Sequence, residues 1–350
     1  MNLKQLAKEL NLSFSTVSKA LRDSHEISVA TKNYVQVKAK ELNFQVNPFA
    51  SSLRSQNNKT IAVVIPEVTN DFFGPVINGI ESLAVEKGYH LSIYLTHDEI
   101  QKEIAITKLI QNRRLDGIII SLSDQTSDTA HLQELFEKKI PLVFFDRISE
   151  MIDCPKITTD DYNSGSKATE HLIENGCKQI AYFCISKNLS ICSERMNGYL
   201  KALKKHNIKQ DNNLIFSFTG EEVEIKKSIR KLLACKNRPD GIFASVEKLA
   251  IATYEVCAEL KLNIPNDVKV IAFSNSYMAE SLNPSLTTIT QPAYEMGRET
   301  AASLFKLLEK KHPLLIPKKI KLNSTLVERN STKRSDSKDF SSINIIDFEI

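Results

Sequence analysis

Tryptophan is absent, glycine is scarce at 10 residues in 350, and no apolar run approaches the roughly 18 residues that a membrane-spanning helix requires. No G-x-x-x-x-G-K loop is present to cradle a phosphate, and no G-x-S-x-G turn to expose a serine nucleophile. The six cysteines (Cys154, Cys177, Cys184, Cys192, Cys235, Cys257) form no C-x-x-C pair, and the seven histidines are scattered without metal-ligand spacing. Reduced, mostly buried thiols and no metal are expected from that usage. With no nucleophile–base pair and no paired carboxylates, the reading is that the chain is not an enzyme, has no catalytic residues and takes no cofactor. Its start is amphipathic, unlike the charged lead and apolar core of an export leader, so a cytoplasmic protein without membrane contact is expected.

What is present is an uneven charge distribution. Residues 1–59 hold nine basic and four acidic side chains, a net of +5, which leaves the other 291 residues at −1. A small basic module before a nearly neutral body is the footprint of a chain of which only one part rests on phosphates. Within that module, LKQLAKELNLSFSTVSKALR at 3–22 reads as two short helices around a tight turn. Asn2 is placed to cap the first, on which Leu3, Leu6, Ala7 and Leu10 share a face. Asn11 supplies a left-handed turn position, which Asn tolerates better than most residues. Ser13 caps the second helix, Phe14–Leu21, with Val17, Ala20 and Leu21 inward and Phe14, Ser15, Ser18, Lys19 and Arg22 outward. Small Ala7 lets the helices cross steeply, the geometry of a helix-turn-helix. Residues 28–44 read as a third helix capped by Ser28, with Val35, Val37, Ala39 and Leu42 apolar. The stretch 47–55, opened by Pro48, is too short to hold a helix alone and is expected to order only on DNA beside a partner copy.

From Thr60 onward, short apolar runs alternate with amphipathic segments. Strands are expected at 60–66, 90–95, 117–121, 142–145, 179–184, 214–218, 241–245 and 268–273. Helices are expected at 74–88, 100–113, 128–139, 163–175, 193–206, 221–234 and 247–260. That alternation and the length imply an α/β body of two doubly wound parallel sheets, with ligands at the carboxyl ends of the strands.

The chain resembles the lactose/galactose-repressor (LacI/GalR-type) family of bacterial transcription regulators over nearly all of 2–330. The resemblance is carried by S-F-S-T-V-S-K-A-L at 13–21, E-L-N-F at 41–44, A-S-S-L-R at 50–54, I-A-V-V-I-P at 61–66 and N-D-F-F at 70–73. Further along stand D-G-I-I-I-S at 116–121, P-L-V-F-F-D-R at 141–147, R-M-N-G-Y at 195–199, P-S-L-T-T-I at 284–289 and L-x-x-x-L-V-x-R at 322–329. The resemblance implies an all-α head at 1–46, a hinge helix and linker at 47–59, and a body at 60–330 similar to periplasmic sugar-binding proteins. Its first subdomain would comprise about 60–158 plus 290–317, its second about 159–289 plus 318–330. It also implies a homodimer on an inverted-repeat operator, acting as a repressor under control of a small sugar-like ligand. The tail, 331–350, lacks leucine heptads, which argues against a coiled-coil tetramer, and is expected to be largely unstructured apart from an alternating end suited to strand addition.

Carried over by position, Phe14 and Ser15 match base-reading residues, and Ser13, Thr16, Ser18 and Asn47 match backbone-positioning ones, with Lys19, Arg22 and Arg54 beside them. Ala50 and Leu53 match the paired hinge helices, in which the leucine wedges into the minor groove. For the effector, Phe72, Phe73, Ser121, Asp146 and Arg195 match cleft positions. The pattern departs where the family carries an aspartate and an N-D pair: Ser274 and Val246-Glu247 stand there. A neutral monosaccharide held in the usual way then becomes less favoured, and Arg195 would suit an acidic or phosphorylated sugar.

Plainer roles stay open beside these: Phe14, Phe72 and Phe73 as core, Leu53 as a stray surface leucine, Arg195 as a surface ion pair. Two other functions also stay open, a DNA-binding regulator without effector and a bilobal ligand-binding protein without regulatory DNA binding. Leu53→Ala separates the wedge from the stray leucine. In a binding titration it is expected to weaken operator binding selectively, and equal losses on operator and random DNA would remove the wedge.

Overall fold

The computed structural model describes residues 3–21, 23–44, 59–112, 115–186, 188–218, 221–309 and 319–333. The chain divides into two units, Met1–Asn58 and Lys59–Ile350.

In the first unit, α1 (Leu3–Glu9), α2 (Phe14–Leu21) and α3 (Val29–Glu41) close on a core of Leu6, Ala7, Leu10, Val17, Ala20, Val35 and Ala39. Asn11 has φ of 52° at the α1–α2 turn, the left-handed position its short side chain tolerates. The Ser13 hydroxyl accepts from the Thr16 amide at 3.0 Å and the Ser28 hydroxyl from the Thr31 amide at 3.3 Å, so both helices start on side-chain caps. On α3 only Val35 and Ala39 are buried; Val37 and Leu42, expected on the same face, are exposed, because four residues separate the buried pair and the other two lie off that stripe. The Asn2 cap and the 47–55 segment, with Asn47, Ala50, Leu53 and Arg54, lie outside the described residues, as does Arg22.

The second unit carries two six-stranded sheets. The first runs β11-β5-β4-β3-β1-β2, all parallel, from β1 (Thr60–Ile65), β2 (His90–Leu95), β3 (Gly117–Ile120), β4 (Leu142–Phe145), β5 (Lys156–Thr159) and β11 (Lys319–Leu322). The second runs β12-β10-β9-β8-β6-β7, from β6 (Ile180–Cys184), β7 (Ile215–Ser217), β8 (Gly241–Ala244), β9 (Lys269–Phe273), β10 (Thr287–Thr290) and β12 (Thr325–Val327), with β12 alone antiparallel. Alternation along β1 divides the first lobe's core: Ile61, Val63 and Ile65 pack with Phe73, Val76 and Met296, whereas Ala62 and Val64 pack with Ile110, Leu132 and Leu135. Helices α4 (Phe73–Glu86) and α11 (Ala293–Leu308) cover one face, and α5 (Ile100–Asn112) and α6 (Ala130–Glu137) the other. In the second lobe α7 (Asp161–Glu174), α8 (Ser190–Lys205), α9 (Glu222–Leu233) and α10 (Glu247–Glu259) enclose a single core.

Three crossings join the lobes, and two polar residues stitch them. The Asp160 carboxylate accepts from the Ser324 amide at 2.8 Å and its own amide donates to Leu322 O at 2.9 Å, while the Gln291 amide reaches Thr159 Oγ1 at 3.1 Å. The expected subdomain limits need correction here. Thr159 and Thr290 close strands of the first and second sheet respectively, and β11 keeps 319–322 in the first sheet, so the last crossing falls at 323–324 rather than before 318. The tail also begins later than 331. Ser331 and Thr332 are buried, with Ser331 Oγ donating to Val270 O at 2.6 Å and Thr332 Oγ1 bonded to His171 Nε2 at 2.8 Å. Residues 334–350 lie outside the described residues.

Helices α7 and α8 touch backbone to backbone. A Cβ on Gly198 would lie 2.1 Å from Tyr162 O, and one on Gly165 2.4 Å from Arg195 O. Gly198→Ala is therefore expected to destabilise by about 1–3 kcal/mol or more through overpacking. Gly74→Ala, whose Cβ meets nothing within 4 Å in the first turn of α4, is expected to be neutral or mildly stabilising. Urea unfolding of the two variants checks the contrast, and equal midpoints would mean the helices can part freely.

Candidate functional site

On the head, α2 presents one polar face. Ser13 and Ser15 are exposed, Thr16 and Ser18 half-buried, and Phe14 half-buried against the head core. Phe14 thus packs inward with part of its surface in solvent. Lys19 is held in an ion pair with Glu26, and Lys32 with Asp23 at 2.8 Å, so some of the head's positive charge is internally balanced.

In the body, the loops at the carboxyl ends of the strands converge on a cavity of about 40 Å³ between the lobes, room for a few waters. From the first lobe, Phe72 and Phe73 meet edge to face at 5.2 Å, and the Asn70 side chain fixes their loop by accepting from the Phe72 amide at 2.9 Å. Both rings line the cavity and also belong to the lobe's core. Asp146 ends β4 with φ of 56°, a left-handed backbone that a carboxylate residue adopts at a cost, as functional sites often require. From the second lobe come Arg195 on α8, Val246 and Glu247 at the start of α10, and Phe273 and Ser274 at the end of β9.

Arg195 is the centre of the arrangement and is 2 % exposed. Its Nε donates to Asp161 Oδ1 at 2.7 Å, Nη1 to the Ser245 carbonyl at 2.5 Å, and its guanidinium lies 3.6 Å over the Phe273 ring. Nη2 is buried without a partner. Arg147, next to Asp146, repeats the design: Nη1 donates to Asp98 Oδ1 at 2.5 Å, and buried Nε has no hydrogen-bond partner, 4.0 Å from Asp146 Oδ2. Burial pushes Asp146 up from 3.8 to about 6 against the pull of Arg147 and Arg195, and pushes Asp161 up against Arg195. Burial also raises Glu247, which accepts from Ser274 Oγ at 2.8 Å. Asn275 and Gln291 complete the floor, the Asn275 amide donating to Gln291 O at 2.7 Å.

The structure thus brings together Phe72, Phe73, Asp146, Arg195, Val246, Glu247 and Ser274. Ser121 is the exception: it is fully buried at the end of β3, its amide spent on Val64 O, and it does not line the cavity. The sequence reading passed over Asn70, Arg147, Phe273 and Gln291. Two of them stood inside its own motifs, N-D-F-F and P-L-V-F-F-D-R. Arg195 is also no surface ion pair and no free cation, since Asp161 already answers its charge. Among the described residues no group of three or more His, Cys, Asp or Glu is placed to hold a metal, and no helix is long and apolar enough to cross a membrane.

A helix-turn-helix head followed by a bilobal α/β body defines a class of transcription regulator. A family model described as periplasmic binding protein-like domain matches residues 169–332. The HTH-type transcriptional repressor PurR of Vibrio vulnificus is 30% identical over 339 residues, covering 95% of this chain and 98% of its own. Among solved structures, the transcription regulator CcpA of Lactococcus lactis is similar with a TM-score of 0.72 at 25% identity, over 78% of this chain and 99% of that one. The lac repressor dimer bound to operator and an anti-inducer matches in fold with a TM-score of 0.83 at 19% identity, over 95% of this chain and 99% of that one. The chain belongs to the LacI/GalR-type family of DNA-binding transcription regulators.

Between about pH 4 and 6 the unfolded chain has released the Asp146 proton while the folded chain holds it, so this group's share of stability falls as pH rises, by about 3 kcal/mol across the window. Asp146→Asn is expected to remove that fall, leaving the share of Asp161 in both proteins. Urea unfolding at stepped pH measures it, and an identical pH slope in parent and variant would contradict the buried carboxyl.

Proposed function

We propose that the chain represses transcription as a homodimer that reads an inverted repeat with two copies of α2, and that a small polyhydroxylated ligand in the cleft controls it. One observation carries the effector reading: Arg147 and Arg195, each buried and each pinned by its own carboxylate, both line the cavity beside Asp146 and each keeps one buried nitrogen without a hydrogen bond. Buried donors without partners are costly unless something completes them. Together with carboxylate acceptors and an aromatic wall, they suit hydroxyl groups, which donate and accept at once.

This reading replaces the anionic sugar that Arg195 suggested. An anion would have to displace Asp161 or sit beside it, leaving a buried carboxylate short of its partner. The cavity is also far below the several hundred Å³ of a typical ligand site, so the ligand enters when the lobes part and rebuilds the closed form around itself. Such a ligand couples to operator only through unequal affinity for the two closures.

On DNA, Ser15 is the exposed base reader, with Ser13 and Thr16 at the helix start suited to phosphate. Phe14 offers the outer part of its ring, and Arg22, Asn47, Ala50, Leu53 and Arg54 extend the interface along the hinge. Selection from random duplexes is expected to return an inverted repeat. Ser15→Ala should then change preference at one position per half-site, by about 1–3 kcal/mol. Selected duplexes without two-fold symmetry would defeat the dimeric reading.

A further inference from the structure

The cleft continues outward into a chamber of about 440 Å³ that shares Asn70, Arg147, Val246 and Glu247 with the inner cavity. Its acids outnumber its bases. Glu67, Asp71, Glu222 and Glu247 line it, against Arg147 and Lys248. Of these, Arg147 is spent on Asp98 at 2.5 Å, and Glu222 is answered by Lys226 at 2.5 Å. Lys248 points from an exposed position and acts on Asp124. Glu67, Asp71 and Glu247 remain, and among the described residues none of the three has a basic partner within salt-bridge distance. Glu247 draws its hydrogen bond from the Ser274 hydroxyl instead.

Two further facts set this apart from a solvated acidic rim. Glu247 is half-buried at the wall common to both spaces, and Asp71 is near enough to bear on it electrostatically. Arg147, 4 % exposed, lines both spaces, and its buried Nε has no hydrogen bond, only Asp146 Oδ2 at 4.0 Å. A buried donor short of a hydrogen bond on a residue shared by the two spaces, with carboxylates gathered in the outer one, describes a ligand with an acceptor at one end and positive charge at the other. Neighbouring carboxylates without a counter-ion repel one another, and a cation placed between them removes that repulsion as it gains its own attraction.

We propose that the effector is a polyhydroxylated amine, an amino sugar in its simplest form, whose hydroxyls meet Asp146, Arg147 and Arg195 while its ammonium lies between Glu247 and Asp71. The inference rests on the effector reading above and narrows its ligand class. The position that departs from the family pattern at Val246-Glu247 then has a purpose: Glu247 supplies a full charge for an ammonium. Helix start and ligand share that charge, since a carboxylate in the first turn of α10 also favours the helix.

The test uses the full chain and matched sugars. Calorimetric titration at pH 7 and low salt compares D-glucose, D-galactose and D-mannose with their 2-amino and their uronic acid counterparts. In whichever stereochemistry binds, the amine is expected to be at least about tenfold tighter than the parent hexose and the uronate weakest. Glu247→Gln should bring the amine-to-hexose ratio close to one. Asp71→Asn, on a half-exposed residue, should lower the ratio in the same direction and guards against misfolding of the first variant. Hexoses that bind as tightly as their amines, or a ratio that survives both substitutions, would overturn the amine while leaving the polyhydroxylated effector in place. If none of the nine sugars binds saturably, both fall.

Discussion

Arg195 is a full positive charge at 2 % exposure, and the cleft is organised by what that charge demands. A guanidinium taken out of water costs several kcal/mol unless carboxylate and carbonyl oxygens replace the lost hydration. Asp161, the Ser245 carbonyl and the Phe273 ring do so from three different elements of one lobe. Asp161 reaches the guanidinium through the contact between α7 and α8. Asp161 precedes Gly165 by four residues and Arg195 precedes Gly198 by three, so each charged residue lies one turn from a glycine on the same helix face. Where the two glycines let the backbones meet, the two charges meet as well.

The same packing device appears in the other lobe. Gly79 on α4 and Gly297 on α11 leave Cβ positions 2.1 Å from Tyr294 O and Val76 O. In each lobe these paired helices cannot slide past one another without losing backbone contact. At the three crossings, by contrast, the lobes are tied by the hydrogen bonds of Asp160 and Gln291.

The sequence was legible wherever burial is achieved by apolar side chains in a fixed period. TIAVVI, GIII, LVFF, IAYFC and KVIAF are strands for that reason, and the Ser13, Ser28 and Asn11 positions follow from backbone chemistry alone. Strands β5 and β10 escaped notice. They read KITT and TTIT, yet are buried because their polar atoms find partners in the fold: Lys156 Nζ on Ile152 O at 2.8 Å, and Thr287 Oγ1 on Arg329 O at 3.0 Å. Helix α11 buries Met296, Leu304 and Phe305, but the small Ala293, Gly297, Ala301 and Ser303 between them, among which Gly297 meets a close neighbour, dilute its apolar stripe. In the site, Asp146 and Arg195 could be placed by motif. That Arg195 would arrive already paired could not, because Asp161 lies 34 residues away and is brought in only by tertiary contact.

The contacts across the cleft are weaker than those within each lobe. Across it, the Ile148 amide donates to Ser190 Oγ at 3.2 Å, and Asp146 faces Arg195 without a direct hydrogen bond in either direction. The strong pairs, Arg195 with Asp161 and Arg147 with Asp98, each lie within a single lobe. Opening therefore breaks little, and neither arginine is stripped of its carboxylate when the lobes part. Under the proposed function, a ligand that completes the Arg147 and Arg195 donors in one closure and not in the other would have the differential affinity that a population shift requires. Pinning each cation inside its own lobe is what would leave the proposed switch within reach of a small molecule.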